Sequence, residues 1–312
     1  MNEPPKPLLS IVIPFFNEEA SLPVIVAEVQ ELEKSLHAEY TFELLLMDNH
    51  SSDRSSDIAR DLCRQFSNIR YLRHSRNFGY QANILAGFRN AKGDAAVQLD
   101  ADGEDDPRLI VEFLAKWREG NKVVYGVRKT REEPWLLSIQ RKLFYRLLNS
   151  LSEISLPLDA GDFRLLDRDL LDFLRESTER NIYLRGLIAY AGYKQVGIEY
   201  RRRPRHRGES KFSWFANLAL ALDGLTSFSR RPLILITYLG MFFAAISLIL
   251  GTFYLSLYVF SDIPVQGFTT LVLLQLFFAG VILMCMGITA LYIGRIFDEV
   301  KGRPPYLVEE MR

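Results

Sequence analysis

The sequence predicts an α/β chain, a mostly parallel sheet with helices on both faces, followed by two helices long enough to cross a membrane. Three observations carry this. Over the first hundred residues, apolar β-branched runs alternate with helix-patterned segments at steady spacing, and near-continuous apolar strands belong to parallel sheets covered on both sides. Those strands end in polar or charged clusters, and such sheets bind ligands beyond the carboxyl ends of their strands. Finally, the 312 residues are 24% charged yet have a mean hydropathy of +0.01, so apolar residues must be concentrated somewhere. They are: neither Pro232 to Ser261 nor Ile263 to Gly294 contains a charged residue.

In order, Leu8–Pro14 is an apolar strand, followed by Phe15-Phe16-Asn17-Glu18-Glu19 and a helix through about Leu36 with acids in its first turn. Phe42–Met47 is a second strand, ending at Asp48-Asn49-His50-Ser51-Ser52-Asp53, with a helix from about Ser55 to Phe66. Ile69–Leu72 is a third strand, and after Arg76-Asn77-Phe78-Gly79-Tyr80 a helix runs to about Ala91. A fourth strand, from Ala95, leads straight into Asp100-Ala101-Asp102-Gly103-Glu104-Asp105-Asp106-Pro107.

Alternate residues of an extended segment share a face, so Asp100, Asp102 and Glu104 are expected to converge on one side. Three carboxylates repel one another unless a cation compensates. Hard oxygen ligands suit magnesium or manganese, which usually keep water and bridge substrate phosphates. The plainer reading is a solvated acidic loop. A calcium loop of helix-loop-helix type is set aside, because its sixth position should be Gly and is Asp105, and its twelfth should be Glu and is Val111.

Each uncharged stretch exceeds the roughly 20 residues needed to span a bilayer, which two core helices would not sustain on every face. Arg230 and Arg231 precede the first stretch, Arg295, Lys301 and Arg303 follow the second, and Ser261-Asp262-Ile263-Pro264 between them has no Lys or Arg. Both termini are therefore expected on the cytoplasmic side of the inner membrane. Met1–Leu8 is polar and Pro-rich rather than a signal peptide, so the preceding domain is expected to stay cytoplasmic. Cys63 and Cys285 lie in different regions and indicate neither a disulfide nor a zinc site, and the four histidines form no cluster in sequence.

Ile11–Glu19, Met47–Asp53, Arg76–Gly79, Lys92–Asp94 and Leu99–Pro107 together resemble glycosyltransferase family 2. The resemblance implies a nucleotide-binding sheet of glycosyltransferase A type and a nucleotide-sugar donor. It puts Asp48 near the base, Pro14, Asn17 and Glu18 around base and ribose, and Asp100 and Asp102 near the diphosphate and its metal; Arg76, at a strand end, joins the donor-binding candidates. Asn49 departs from the pattern, which usually has a second Asp there. Val123–Arg128, Leu158–Leu165, Arg205–Lys211 and the two spans are similar to the polyprenyl-phosphate glycosyltransferases within that family, in which Arg128 would be a phosphate ligand and Glu104 falls where many relatives have Gln. The Gln-x-x-Arg-Trp motif of processive polysaccharide synthases is absent from the sequence.

Trp135–Leu148 sets apolar residues at helical spacing with Arg141, Lys142 and Arg146 among them, the pattern of a membrane-interface helix or of a core helix with a basic face. The run Arg201–Arg207 with Lys211 suits a lipid phosphate next to a membrane entry better than nucleic acid, and Arg205, Arg207 and Lys211 are the candidates to hold it. General attraction to anionic lipid is the plainer account. Asp102, Asp159 and Asp162 are the catalytic candidates, the last two as positioning groups or weak bases, because a phosphate acceptor is already anionic near neutral pH; a turn-capping pair is their alternative.

The expected division is a catalytic domain at 1–211 with an interface helix at about 134–150, a juxtamembrane helix at 212–231, two spans at 232–296 and a cytoplasmic tail at 297–312. The expected reaction is inverting transfer of a hexose, glucose from UDP-glucose being preferred, to undecaprenyl phosphate. Other donors and a non-catalytic nucleotide-sugar-binding scaffold are the alternatives. A homo-oligomer, a separate flippase and a downstream transferase complete the expected partners.

Overall fold

Strand β1 (Leu8–Phe15) sits at the centre of the sheet because nearly every residue in it is buried, on both faces. In the computed structural model, which describes residues 5–128, 160–180, 183–203, 229–260 and 267–312, β1 pairs in parallel with β2 (Thr41–Asp48) and with β4 (Ala95–Gln98). β2 in turn pairs in parallel with β3 (Ile69–His74). The remaining strands are β5 (Val123–Arg128), β6 (Ala160–Asp167), β7 (Gln195–Tyr200) and β8 (Val308–Met311), and the order across the sheet is β7-β5-β6-β4-β1-β2-β3-β8. β6 runs against β4 and β5, and β8 runs against β3, so the sheet is mixed, with only these two strands reversed.

Side-chain alternation divides the core. Leu9, Ile11, Ile13 and Phe15 face one layer, formed with α1 (Leu22–Leu36), α2 (Ser55–Gln65) and α4 (Ile110–Arg118). Val12, Leu45 and Met47 face the other, against α3 (Tyr80–Asn90), α5 (Arg168–Glu176) and α6 (Leu184–Tyr190). Each fully buried Leu, Ile or Val contributes roughly 1.5–3 kcal/mol over its exposed state. α3 approaches β1 so closely that a Cβ on Gly87 would lie 2.2 Å from Val12 Cγ1; only glycine fits there. α1 begins at Leu22 with Pro23 in its first turn, so Glu18 and Glu19, expected inside that turn, lie in the loop ahead of it.

Two long helices follow: α7 (Arg231–Phe260) and α8 (Phe268–Lys301). Both are long and apolar enough to cross a membrane, over Arg231–Phe253 and Leu274–Lys301, and they present large apolar side chains such as Leu235, Met241, Leu248 and Leu283 outward. The segment expected as a tail has structure of its own. Phe297–Lys301 completes α8, and Val308–Met311 returns to the sheet as β8. The expected interface helix at 134–150, residues 212–228 of the expected juxtamembrane helix, and Asp159, Arg205, Arg207 and Lys211 lie outside the described residues.

Candidate active site

The carboxyl ends of β1 and β2 are sewn together by short polar residues. Asn17, in the left-handed region at φ 57, donates its N–H to Ser51 Oγ at 3.0 Å and accepts from Ser52 N at 2.8 Å through Oδ1. Glu18 N donates to Ser55 Oγ at 2.8 Å, and Asn49 N donates to the Phe15 carbonyl at 3.0 Å. Asn17 and Glu18 are thereby tied to the loop that follows Asp48, while Pro14 and Phe15 pair in register with Met47 and Asp48.

Asp48 is completely buried and heavily engaged. It accepts from Ser51 N (2.7 Å), Ser56 Oγ (2.6 Å) and Tyr71 OH (2.9 Å), with Arg73 at 3.5 Å. Those bonds take most of the four lone-pair directions of a carboxylate, so Asp48 shapes the loop that follows it. Asn49 has a matching role across the next loop: its Nδ2 donates to Asn77 Oδ1 at 3.0 Å and its Oδ1 accepts from Phe78 N at 3.0 Å. An amide suits this position because it donates and accepts at once, which a second carboxylate would not. Arg76 is exposed, its guanidinium 4.0 Å above the Phe78 ring.

Beyond β4, Asp100 accepts from Tyr80 OH at 2.5 Å and Gln98 Nε2 at 2.8 Å. Burial, then the charges of Asp105, Asp102 and Asp162, outweigh the Tyr80 hydrogen bond and push its carboxyl up to about 7. Gly103, at φ 73, turns the chain, and Asp102 Oδ1 accepts from Glu104 N at 3.1 Å.

Asp100 and Glu104 do come to one side, as expected, but around a guanidinium rather than as an open set of three ligands. Arg202, just past β7, donates to Glu104 and to buried Asp105 (3.0 Å) and lies 3.6 Å from Asp100. Arg203 N donates to the Glu104 carbonyl at 2.9 Å, and its guanidinium holds Asp106 and Glu28. A guanidinium therefore supplies the positive charge assigned to a metal, and Glu104 is turned onto it. Among the described residues no group of three His, Cys, Asp or Glu side chains is arranged to hold a metal ion. Asp100 and Asp102 still fit one in part: both are hard oxygen donors, and burial, with Asp105, Asp102 and Asp162 nearby, holds the Asp100 carboxyl high. Two carboxylates suffice for an ion whose shell is completed by water and substrate phosphate.

Beside this acidic cluster, β5 ends in Arg128 and β6 carries Arg164 in its interior, paired in register with Gln98. Arg185, on α6, grips Asp162 through Nε and Nη2, both at 2.9 Å, and Arg164 lies 3.8 Å away. Burial works against ionisation of Asp162, but Arg185, then Arg164 and Arg128, hold its carboxyl below the usual range. Held ionised in this way, Asp162 is a poor proton acceptor. Burial lowers the buried Arg164 guanidinium to about 10, still charged at neutral pH.

Sequence reasoning missed Tyr80, Asp105, Arg185 and Arg202. Tyr80 and Asp105 stood inside quoted motifs, next to residues that were chosen. Arg202 opened the basic run, but no spacing rule says which arginine of a run folds back.

Residues 10–175 match the family described as Glycosyl transferase family 2. An uncharacterized glycosyltransferase, YkcC, of Bacillus subtilis (strain 168) is 39% identical over 303 residues, 96% of this chain and 93% of that protein. The SfII prophage-derived bactoprenol glucosyl transferase of Shigella flexneri is 34% identical over 304 residues, 97% of each chain. Among solved structures, a mannosyltransferase from Pyrobaculum calidifontis in complex with GDP-Man and Mn2+ aligns with a TM-score of 0.47 at 17% identity, covering 95% of this chain and 87% of that one. A strand-end site on a mixed α/β sheet, a family match across more than half the chain and relatives above 30% identity along nearly all of it converge: the chain is a glycosyltransferase and belongs to glycosyl transferase family 2.

Proposed function

We propose that this enzyme transfers a hexose, glucose from UDP-glucose in the preferred reading, with inversion to the phosphate of a membrane polyprenol such as undecaprenyl phosphate. The observation that carries the reading is the split charge of the site: Asp100 and Asp102 on one side, Arg128, Arg164 and Arg185 on the other, in a chain with two helices apolar enough to span a bilayer. Relatives that carry the name bactoprenol glucosyl transferase along their whole length support the acceptor.

Pro14, Asn17, Glu18, Asp48 and Arg76 frame the base and ribose. Arg128 meets the phosphates, with Arg164 charged behind it. When bound, a magnesium or manganese ion held by Asp100 and Asp102 would neutralise charge on the diphosphate. An acceptor phosphate oxygen attacks the anomeric carbon from the face opposite the diphosphate. The bond from that carbon to the diphosphate oxygen breaks, and its electron pair leaves with the nucleoside diphosphate. No strong base is required, which suits an Asp162 held ionised by Arg185. Asp159, Arg205, Arg207 and Lys211 remain the candidates to position the lipid phosphate.

In this reading the catalytic domain and both termini lie on the cytoplasmic face of the inner membrane, as the flanking arginines and lysines favour. The two uncharged stretches offer no polar route, so export of the product falls to a separate protein. The test is a radiolabel transfer assay with detergent-purified protein, undecaprenyl phosphate and a panel of nucleotide-sugars, with manganese or EDTA, for wild type and Asp102→Ala. Label entering the organic phase from one donor, dependent on metal and lost in the variant, is the expected result. No transfer from any donor, with nucleotide binding intact, would overturn the polyprenyl-phosphate acceptor and favour a scaffold.

A further inference from the structure

The chain does not stop at its second apolar helix. α8 ends on Gly302, in the left-handed region at φ 62, and after Arg303-Pro304-Pro305 the chain turns back to the sheet. Two prolines in so short a link restrict it strongly. Tyr71 and Arg312 exchange backbone hydrogen bonds at 3.0 and 2.9 Å, and Ser75 N donates to the Leu307 carbonyl at 3.0 Å. Arg60 reaches Glu310 at 2.9 Å and Arg73 reaches Glu309 at 3.1 Å. Tyr306 stacks on His74, with centroids 5.3 Å apart and planes 16° from parallel, while Phe78 meets the His74 ring edge-on at 5.8 Å.

The residues gripped in this way also hold the loops after β2. Tyr71 OH and Arg73 both reach Asp48, and Arg73 donates to the Ser51 carbonyl at 3.3 Å. The His74 carbonyl lies 3.1 Å from His50 Nδ1, and the fully buried His74 ring lies 3.5 Å from Asn49 Oδ1. Without β8, β3 would be a bare sheet edge, free to fray.

We propose that residues 303–312 buttress the nucleobase end of the donor site, with Tyr306 as a positioning residue that fixes His74 and, through β3, Asp48 and Asn49. Donor affinity then depends on a segment delivered by the second apolar helix, which links the membrane part of the chain to donor recognition. The inference rests on the proposed function in taking the base to lie over Asp48 and Asn49.

The test uses the full chain in detergent, with UDP and GDP binding measured by calorimetry in the presence of Mn2+, for wild type, Tyr306→Ala, Tyr306→Leu and Tyr306→Phe. Loss of one aromatic stack predicts a Kd raised about two- to tenfold in Tyr306→Ala, with Tyr306→Phe near wild type and Tyr306→Leu between them. With the donor found in the transfer assay, KM rises by the same factor while kcat changes less than about twofold, because the reacting atoms lie on the Asp100 side. An unaltered Kd in Tyr306→Ala, or a Tyr306→Phe as weak as Tyr306→Ala, overturns the buttress. Should Tyr306→Ala not fold, the Leu and Phe variants decide by the same ordering. A wild type that binds neither UDP nor GDP overturns the donor reading and the buttress with it, whereas tight wild-type binding with an unaltered Tyr306→Ala overturns the buttress alone.

Discussion

Asp100→Asn is expected to give a protein that is more stable than wild type above neutral pH and unable to catalyse. The Asp100 carboxyl is pushed up to about 7 by burial and by Asp105, Asp102 and Asp162, from 3.8 in an unperturbed chain. A group whose folded value is raised favours the folded state while protonated: the contribution is complete below about pH 4, falls as pH rises, and is gone above about 7. Three units correspond to an upper limit of about 4 kcal/mol. The Asp100 side chain keeps 17% exposure, and Arg202 lies 3.6 Å away, so about 2 kcal/mol is the working figure. Asparagine keeps an acceptor for Tyr80 and Gln98 and carries no charge. In EDTA-containing detergent buffer, Asp100→Asn should melt roughly 4–8 °C above wild type at pH 8, and the gap should close towards pH 4.5. Equal melting temperatures at pH 8, or a gap that does not vary with pH, would refute the assignment of unbalanced charge to Asp100.

Two other substitutions probe the scaffold of the site. Arg202→Ala leaves buried Asp105 its hydrogen bond from Tyr200 OH and takes the guanidinium from both Asp105 and Glu104, so thermal melts should fall by an amount equivalent to about 2–4 kcal/mol. Gly87→Ala forces a Cβ to within 2.2 Å of Val12 Cγ1 and must push α3 off β1; about 1–3 kcal/mol should be lost, with nucleotide affinity falling as the Tyr80 hydroxyl at the head of that helix shifts from Asp100. A Gly87→Ala protein as stable as wild type would show that α3 has room it does not have here.

The alternating strands and helices up to β4 were legible because each depends on local apolar periodicity and on loops rich in Asp, Asn, Ser and Gly. β6 was not, since its place between β4 and β5, antiparallel to both, is a matter of tertiary pairing. β8 is the sharper case. Val308-Glu309-Glu310-Met311 reads as a charged tail, and it becomes a strand because Arg60 and Arg73 stand across from its two acids. Among the candidate site residues, Asp48, Arg76 and Asp100 were legible as charges at the ends of apolar strands, and Arg128 through the family resemblance. The partner of Glu104 was not legible, because Arg202 lies 98 residues along the chain, beyond any local pattern.

The charges argue for an order of events. Among the described residues, Asp100, Asp102, Glu104 and Asp105 against Arg202 give the β4 side a formal surplus of three negative charges when all are ionised. Arg128, Arg164 and Arg185 against Asp162 give the β5–β6 side a surplus of two positive charges. A nucleoside diphosphate spanning both sides is welcomed by the arginines and repelled by the carboxylates. The elevated Asp100 carboxyl is the free protein's partial answer to that imbalance, because a proton removes one of the three charges. A divalent ion arriving with the diphosphate would remove two and release the proton, so under the proposed function donor and metal bind as one unit rather than in sequence. Arg202, by holding Glu104 and Asp105, is then the residue that keeps the acidic side folded between turnovers.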